Sequence, residues 1–266
     1  REYRAGLLPR FYTALVTAAA RGAAQIITIS NASRDDIAAK IGVPAERLSV
    51  TYLAADRVFH PDGDREADHA VRARYGLDDV DDFVLYLGSF NAHKNLRLLL
   101  AAYTYVAQGV GPDVPLVLAG HAPPRWSEPR FPDLPAYITE LRLTDYVRWI
   151  GPVDEADKPA LYRLASVFAF PSRYEGFGLG PLEAMASGTP VVACNTSSIP
   201  EVTGDAAYLV GVTDSKAMGG AILALLAQPE HARQMANRGL ARSREFSWRQ
   251  TAEGTLAAYR KALSGT

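Results

Sequence analysis

Residues 168–190 read F-A-F-P-S-R-Y-E-G-F-G-L-G-P-L-E-A-M-A-S-G-T-P. The apolar run from Ser166 to Phe170 predicts a buried strand, which Pro171 ends. A loop then carries Arg173, Tyr174 and Glu175 into three close glycines, Gly176, Gly178 and Gly180. Pro181 suits the first position of a helix, which puts Glu183 in its first turn, ahead of Ala184-Met185-Ala186. Ser187-Gly188 closes that helix, Thr189-Pro190 turns the chain, and Val191 to Ala193 predicts the next strand. The order is strand, glycine loop, helix, strand. Such a helix start offers unpaired N–H groups and a positive dipole end, a seat for phosphate or another anion. Glycine lets main chain approach a ligand more closely than any side chain allows. Glu175 and Glu183 bracket the loop, so both can face one pocket mouth.

Taken singly, each feature also has a structural reading. Glu183 can be an acid stabilising a helix dipole by about 0.3–1 kcal/mol. The glycines can be turn punctuation, and Glu175 a solvated loop acid. Three glycines within five residues, flanked by two acids and a helix start, point together to a ligand.

Outward from this segment the alternation repeats. Phe83 to Leu87, Leu116 to Ala119, Val147 to Ile150 and Tyr208 to Val210 predict strands. Asn95 to Ala107, Tyr137 to Leu143, Asp154 to Ala165, Ser215 to Ala227, Glu230 to Glu245 and Ser247 to Leu263 predict helices. A Pro-rich insert (Pro123, Pro124, Pro129, Pro132, Pro135) precedes the second of these. The fold class expected is α/β, a Rossmann-like parallel sheet with helices on both faces. Ligands of such sheets bind at the carboxyl ends of the strands. Three loops should therefore converge: Gly88 to Asn95, Gly120-His121, and the loop holding Glu175. Lys94 stands one residue before a helix start that Asn95 is placed to cap, where it can meet a phosphate.

Before this region the chain reads differently. Leu7 to Ala20 predicts a helix with Arg1, Arg4, Arg10 and Arg21 around it and only Glu2 opposing. A basic amphipathic helix could lie on an anionic membrane surface; a solvated helix face is the plainer reading. Ile26 to Ile29 and Leu48 to Tyr52 predict strands, with a helix capped by Ser30-Asn31 between them and stopped at Gly42-Val43-Pro44. Leu53 to Glu66 is polar and turn-rich, an expected linker. The expected divisions are residues 1–53, a linker at 54–66, an α/β domain at 67–246 and a final helix at 247–266. Two strands are too few for an independent first domain, and the chain opens on Arg1 rather than Met, so more sequence is expected upstream.

Composition excludes several classes. Of 266 residues, 48% are hydrophobic and 21% charged, as in soluble globular proteins. A formal net charge of −1 argues against a nucleic-acid partner held by bulk charge. Cys194 is the lone cysteine, so an internal disulfide is ruled out and a reducing, cytoplasmic setting fits. The five histidines show no metal-ligand spacing, and no D-x-D is placed to hold a diphosphate-bound metal: Asp62-Gly63-Asp64 has the letters but lies in the linker. No metal site is expected.

The central segment resembles the E-x7-E signature of the retaining, nucleotide-sugar glycosyltransferases of family 4, which have the GT-B fold. That signature commonly reads P-S-x-x-E-G-F-G-L-P-x-L-E-A-M-A-x-G-x-P-V-V; here Gly180-Pro181 replaces Pro and the residue after it. Residues 26–37, I-I-T-I-S-N-A-S-R-D-D-I, and Leu48 to Val50 are similar to the end of the family's first domain. The resemblance implies the C-terminal, donor-binding half of a GT-B enzyme with the N-terminal half largely absent. It implies a metal-independent, retaining hexosyltransferase of a mannosyltransferase-like branch, with no cofactor beyond its substrate, GDP-mannose or a UDP-sugar. By the same resemblance Glu175 and Lys94 are catalytic. Donor contacts are expected from Gly88, Ser89, Gly120, Tyr174, Gly176, Phe177, Gly178 and Leu179, with Glu183 on the ribose hydroxyls and main chain at Trp149 and Ile150 on the base edge. Ser89 stands where the family often has an arginine, so one positive contact to the diphosphate is lost unless His93 or Arg173 replaces it. The acceptor implied is a glycan, a lipid-linked or a small-molecule hydroxyl. Peripheral membrane contact and self-association through an uncovered domain face are further expectations.

Three alternatives remain beside this reading. A nucleotide-sugar epimerase shares the fold but lacks the E-G-F-G run. A dinucleotide oxidoreductase would need its third glycine one residue later and its first beside the strand. A nucleotide-sugar-binding fragment, inactive alone, is the non-enzymatic reading.

Overall fold

Leu7–Gly22 forms helix α1 and is followed by two short parallel strands, β1 (Ile26–Thr28) and β2 (Leu48–Val50), paired with Ile26 opposite Leu48. Between them lies α2 (Asn31–Ile41). Ser30 caps it by accepting a hydrogen bond from the Ser33 amide, and Gly42 ends it at φ 76°, a conformation that suits glycine. The computed structural model describes residues 7–126 and 130–264, so Arg1, Glu2, Arg4 and Pro129 lie outside the described residues. The chain divides into two compact units, residues 1–54 with 246–266, and residues 55–245.

The larger unit carries α3 (Arg65–Arg74), β3 (Val84–Leu87), α4 (Leu96–Val110), β4 (Leu116–Ala119), α5 (Leu134–Glu140) and β5 (Val147–Gly151). Then come α6 (Lys158–Leu164), β6 (Val167–Phe170), α7 (Leu179–Ala186), β7 (Val191–Cys194), α8 (Ile199–Thr203), β8 (Ala207–Val210), α9 (Ser215–Ala227) and α10 (Pro229–Ser243). Six strands form one parallel sheet in the order β5-β4-β3-β6-β7-β8. Strand order reverses between β3 and β6, and the loops leaving such a switch point form a crevice for ligands.

Alternation along the strands assigns the two faces. Val84, Tyr86, Leu116, Leu118, Val167, Ala169, Val192 and Cys194 join one cluster with Leu99, Tyr103 and Val106 of α4 and Met218, Ile222 and Leu225 of α9. The opposite face takes Phe168, whose ring meets Tyr162 of α6 edge-on at 5.1 Å and lies under Gly180 of α7. Both faces are covered by helices, which is why the strands are continuous apolar runs.

The sequence reading needs correction at several places. Helices α3 and α8 were not expected. In α3 only Val71 is buried, so there is no apolar stripe to read, and α8 spans five residues. Arg65 and Glu66 therefore leave the irregular stretch, and Asp64 of the D-x-D caps α3 by accepting from the Glu66 and Ala67 amides. Helix α6 begins at Lys158 rather than Asp154. Helix α7 begins two residues before Pro181, which the first turn tolerates because its amides lack helical partners in any case. Glu183 thus falls in the second turn, beyond the N-terminal dipole reading.

In the smaller unit the last helix, α11 (Trp248–Leu263), is capped by Ser247 and packs along β2. The Thr251 hydroxyl donates to Tyr52 O at 2.5 Å, and Gly254 leaves room for Thr51. Phe11, Tyr12 and Leu15 of α1 and Leu256, Tyr259 and Leu263 of α11 are exposed. Among the described residues no helix is long and apolar enough to cross a membrane.

Candidate functional site

Strands β3, β4 and β5 end side by side, and the residues that follow them make a wall of main chain. The Gly88 amide donates to Ala119 O at 3.0 Å and the Gly120 amide to Gly151 O at 2.7 Å. Gly120 has φ 145°, and a Cβ there would lie 2.0 Å from Gly88 O, so only glycine fits this close approach. A cavity of about 240 Å³ opens at these strand ends. It is lined by Leu87, Gly88 and Ser89 after β3, Gly120 and His121 after β4, and Pro152, Val153, Glu155 and Lys158 after β5.

Lys94 and Glu175 come from loops 81 residues apart and meet at 2.6 Å, each side chain less than a fifth exposed. The Lys94 ammonium also stands 5.5 Å from the Phe170 ring centre. Behind the pair, the expected cap at Asn95 takes a different form. Asn95 sits at φ 59° and makes no side-chain cap. Its amide nitrogen donates to Pro171 O at 3.1 Å and Val212 O at 3.0 Å, while its carbonyl accepts from Arg173 Nε at 2.9 Å. One buried side chain so ties the loop after β3 to those after β6 and β8.

The Glu175 loop is buttressed by hydroxyls that sequence reasoning passed over. Ser197 accepts from the Glu175 amide at 2.9 Å, Ser198 donates to Glu175 O at 3.0 Å, and Thr196 donates to Arg173 O at 3.0 Å. Phe177 is buried, Tyr174 and Leu179 are exposed, and Gly176 lies between. Gly178 has φ 117°, with Ile199 where a side chain would go, and it stands at the N-cap of α7.

Glu183 projects from α7 to Tyr162, whose phenol donates to its carboxylate at 3.0 Å. Burial pushes the Glu183 carboxyl above the usual carboxylate range, although the Tyr162 hydrogen bond and Lys158 oppose the shift. Burial and the Glu183 charge raise the Tyr162 phenol well above its ordinary value, so it stays a donor. Burial first, and then the Lys94 charge, hold the His93 imidazole below its ordinary value, which favours its neutral form.

The structure therefore gathers Gly88, Ser89 and Gly120 in the lining of one cavity and joins Lys94 to Glu175. Glu183 is held to Tyr162 of α6, the helix that Lys158 begins. Trp149 and Ile150 are absent from that lining: the Trp149 ring packs on Phe90 at 5.2 Å and Trp126 at 5.8 Å. Pro152, Val153, Glu155 and Lys158 went unnoticed in the sequence, yet they follow β5 as the glycine loops follow β3 and β4. The same strand-end rule would have found them. Among the described residues no group of three or more His, Cys, Asp or Glu side chains is placed to hold a metal ion.

This strand order and loop set coincide with a known family over most of the larger unit: residues 68–242 match the model for glycosyl transferases group 1. The chain belongs to that family. It is 36% identical to the O-antigen chain mannosyltransferase B of Escherichia coli over 237 residues, 88% of this chain and 60% of the relative. Sucrose-phosphate synthase from Thermosynechococcus elongatus shares the fold with a TM-score of 0.77 and 27% identity, over 97% of this chain and 63% of that one. HepE of Anabaena, solved with UDP-glucose, has the same fold at a TM-score of 0.77 and 22% identity, over 96% of this chain and 68% of that one. The chain spans about 60% of the mannosyltransferase it matches.

Proposed function

We propose that the larger unit binds a nucleotide-diphosphate sugar, and that the whole protein transfers its glycosyl group to an acceptor hydroxyl with retention of configuration. The observation that carries this is the Lys94–Glu175 pair, held beside the glycine start of α7 in a group 1 glycosyltransferase sheet. The hard step is departure of a nucleoside diphosphate from a sugar that becomes oxocarbenium-like. Lys94 and the first amides of α7, which have no partner within the helix, are the groups that would hold the developing charge, each such donor worth about 10²–10³ in rate. Glu175, once Lys94 turns to phosphate, can accept from sugar hydroxyls, with the main chain of Phe177 and Gly178 beside it. Glu183 is a half-buried carboxylate with one oxygen on Tyr162, suited to accept from the two ribose hydroxyls. The UDP-glucose bound by HepE, of the same fold, supports a nucleotide-sugar donor.

Retention rests on the E-x7-E spacing, and a mannosyl donor on the similarity to the Escherichia coli enzyme. Metal independence is part of the reading because Lys94 and the helix amides already supply positive charge to a diphosphate. The test is donor consumption with EDTA present, using GDP-mannose and UDP-glucose against glycan, lipid-linked and small-molecule acceptors, with the anomeric configuration of product read by NMR. Turnover abolished by EDTA, or an inverted product, contradicts the corresponding part of the proposal.

A further inference from the structure

We infer that Tyr162 is a positioning residue of the nucleotide site: its phenol holds the Glu183 carboxylate in the orientation that meets a ribose. The inference rests on the reading of Glu183 given above and adds the group that presents it. Tyr162 belongs to α6 and Glu183 to α7, and the phenol donates to Glu183 Oε2 at 3.0 Å. Among the described residues that phenol is the carboxylate's one hydrogen-bond partner. One oxygen is thereby pinned from the protein side, and Oε1 is left to an incoming hydroxyl.

The donor is itself held in place. Tyr162 is fully buried. Its ring lies edge-on to Phe168 of β6 at 5.1 Å and to Phe59 at 5.8 Å. The Thr189 hydroxyl, in the turn between α7 and β7, donates to Tyr162 O at 2.6 Å. A tyrosine has few side-chain torsions, and this packing fixes them. A glutamate has more, and it loses rotamer freedom when it engages a ligand, which weakens binding. A charged hydrogen bond from a fixed phenol orders the carboxylate beforehand.

A core tyrosine that only satisfies its own hydroxyl behaves differently: its loss lowers stability and leaves ligand preference alone. The two roles separate at the ribose. A ribose hydroxyl donating to a charged carboxylate is worth about ten-fold or more in affinity. A site that uses Glu183 therefore favours a ribonucleotide over its 2′-deoxy analogue. When Tyr162 sets the carboxylate, that preference depends on the phenol oxygen, which acts through Glu183.

Titration calorimetry of GDP and UDP, each beside its 2′-deoxy analogue, into this chain and its Tyr162→Phe, Glu183→Gln and double variants tests the inference. Tyr162→Phe removes one oxygen and keeps the ring between Phe59 and Phe168. The parent chain should favour the better-bound ribonucleotide over its deoxy form by about ten-fold or more. Tyr162→Phe should cut that ratio to about three-fold or less, with the deoxy affinity held within about two-fold. With Glu183→Gln already present, Tyr162→Phe should change the ratio no further. If Tyr162→Phe keeps the full ratio while Glu183→Gln loses it, Glu183 meets the ribose unaided, and the inference is overturned while the donor site stands. If Tyr162→Phe weakens ribose and deoxy forms alike, its role is structural and the inference fails. If the parent chain shows no such ratio, or binds neither nucleotide, the ribose reading of Glu183 falls, and this inference with it.

Discussion

The Lys94 ammonium and the Glu175 carboxylate are 2.6 Å apart, with side-chain exposures of 18% and 16%. Two charges so far out of water depend on each other. Removing one partner leaves the other shielded and unpaired, which costs about 3–5 kcal/mol for a buried pair. Lys94→Met and Glu175→Gln should each lower the urea midpoint, and the double variant should fall less than the sum of the two. Additive losses would mean the pair is not coupled in solution.

Asn95 should be harder to replace than its place in a loop suggests. It is 4% exposed, sits at φ 59° and holds three hydrogen bonds to other loops. Asn95→Ala leaves two carbonyls and a guanidinium without that partner and strains the backbone, an expected loss of about 2–4 kcal/mol. Asn95→Gly relieves the strain but not the lost bonds, so it should recover only part. Equal stability of Asn95→Ala and the parent chain by urea melt contradicts this.

Gly120→Ala probes the wall. Its Cβ would stand 2.0 Å from a backbone oxygen, so the loop after β3 or β4 must shift. Stability should fall by about 1–3 kcal/mol, and nucleotide affinity should fall with it. An alanine variant that melts and binds like the parent would show that the two loops are not in contact.

Glu183 gives a pH dependence with a defined sign. Burial raises its folded pKa, so the folded state holds the proton more tightly than the unfolded state does. Its contribution to stability is therefore greatest below the ordinary carboxyl range and declines as pH rises from there through the raised folded value. Glu183→Gln should remove that decline and leave stability at pH 7 unchanged or higher. Nucleotide affinity should drop about ten-fold or more, since a charged hydrogen bond is lost. Urea midpoints from pH 4 to 8 beside binding titrations check both; a variant less stable at pH 7 with unaltered affinity would make Glu183 structural.

What the sequence revealed follows from what periodicity reports. The buried strands, such as Val167 to Phe170 and Val191 to Cys194, are unbroken apolar runs between turn residues, so they were legible. Helix α3 was not, because charged residues fill a helix that buries Val71 alone. The start of α7 was misplaced because Pro181 reads as a first residue, whereas the αL conformation of Gly178 sets the start. In the site, Glu175, Glu183 and the glycines stood out by spacing. The Asn95 clamp, the Ser197 and Ser198 buttress and the Glu155–Lys158 wall did not, because each depends on loops brought together only by the sheet.

The central claim is that Lys94, the start of α7 and Glu183 bind the diphosphate and ribose of one nucleotide. A diffraction structure of this chain with a nucleoside diphosphate, grown with EDTA present, measures that directly. The account predicts phosphate oxygens within hydrogen-bond distance of Lys94 Nζ and of amides near Gly178, the Lys94–Glu175 contact opened, and both ribose hydroxyls on Glu183. A nucleotide bound with its phosphates away from Lys94, or its ribose away from Glu183, would contradict it.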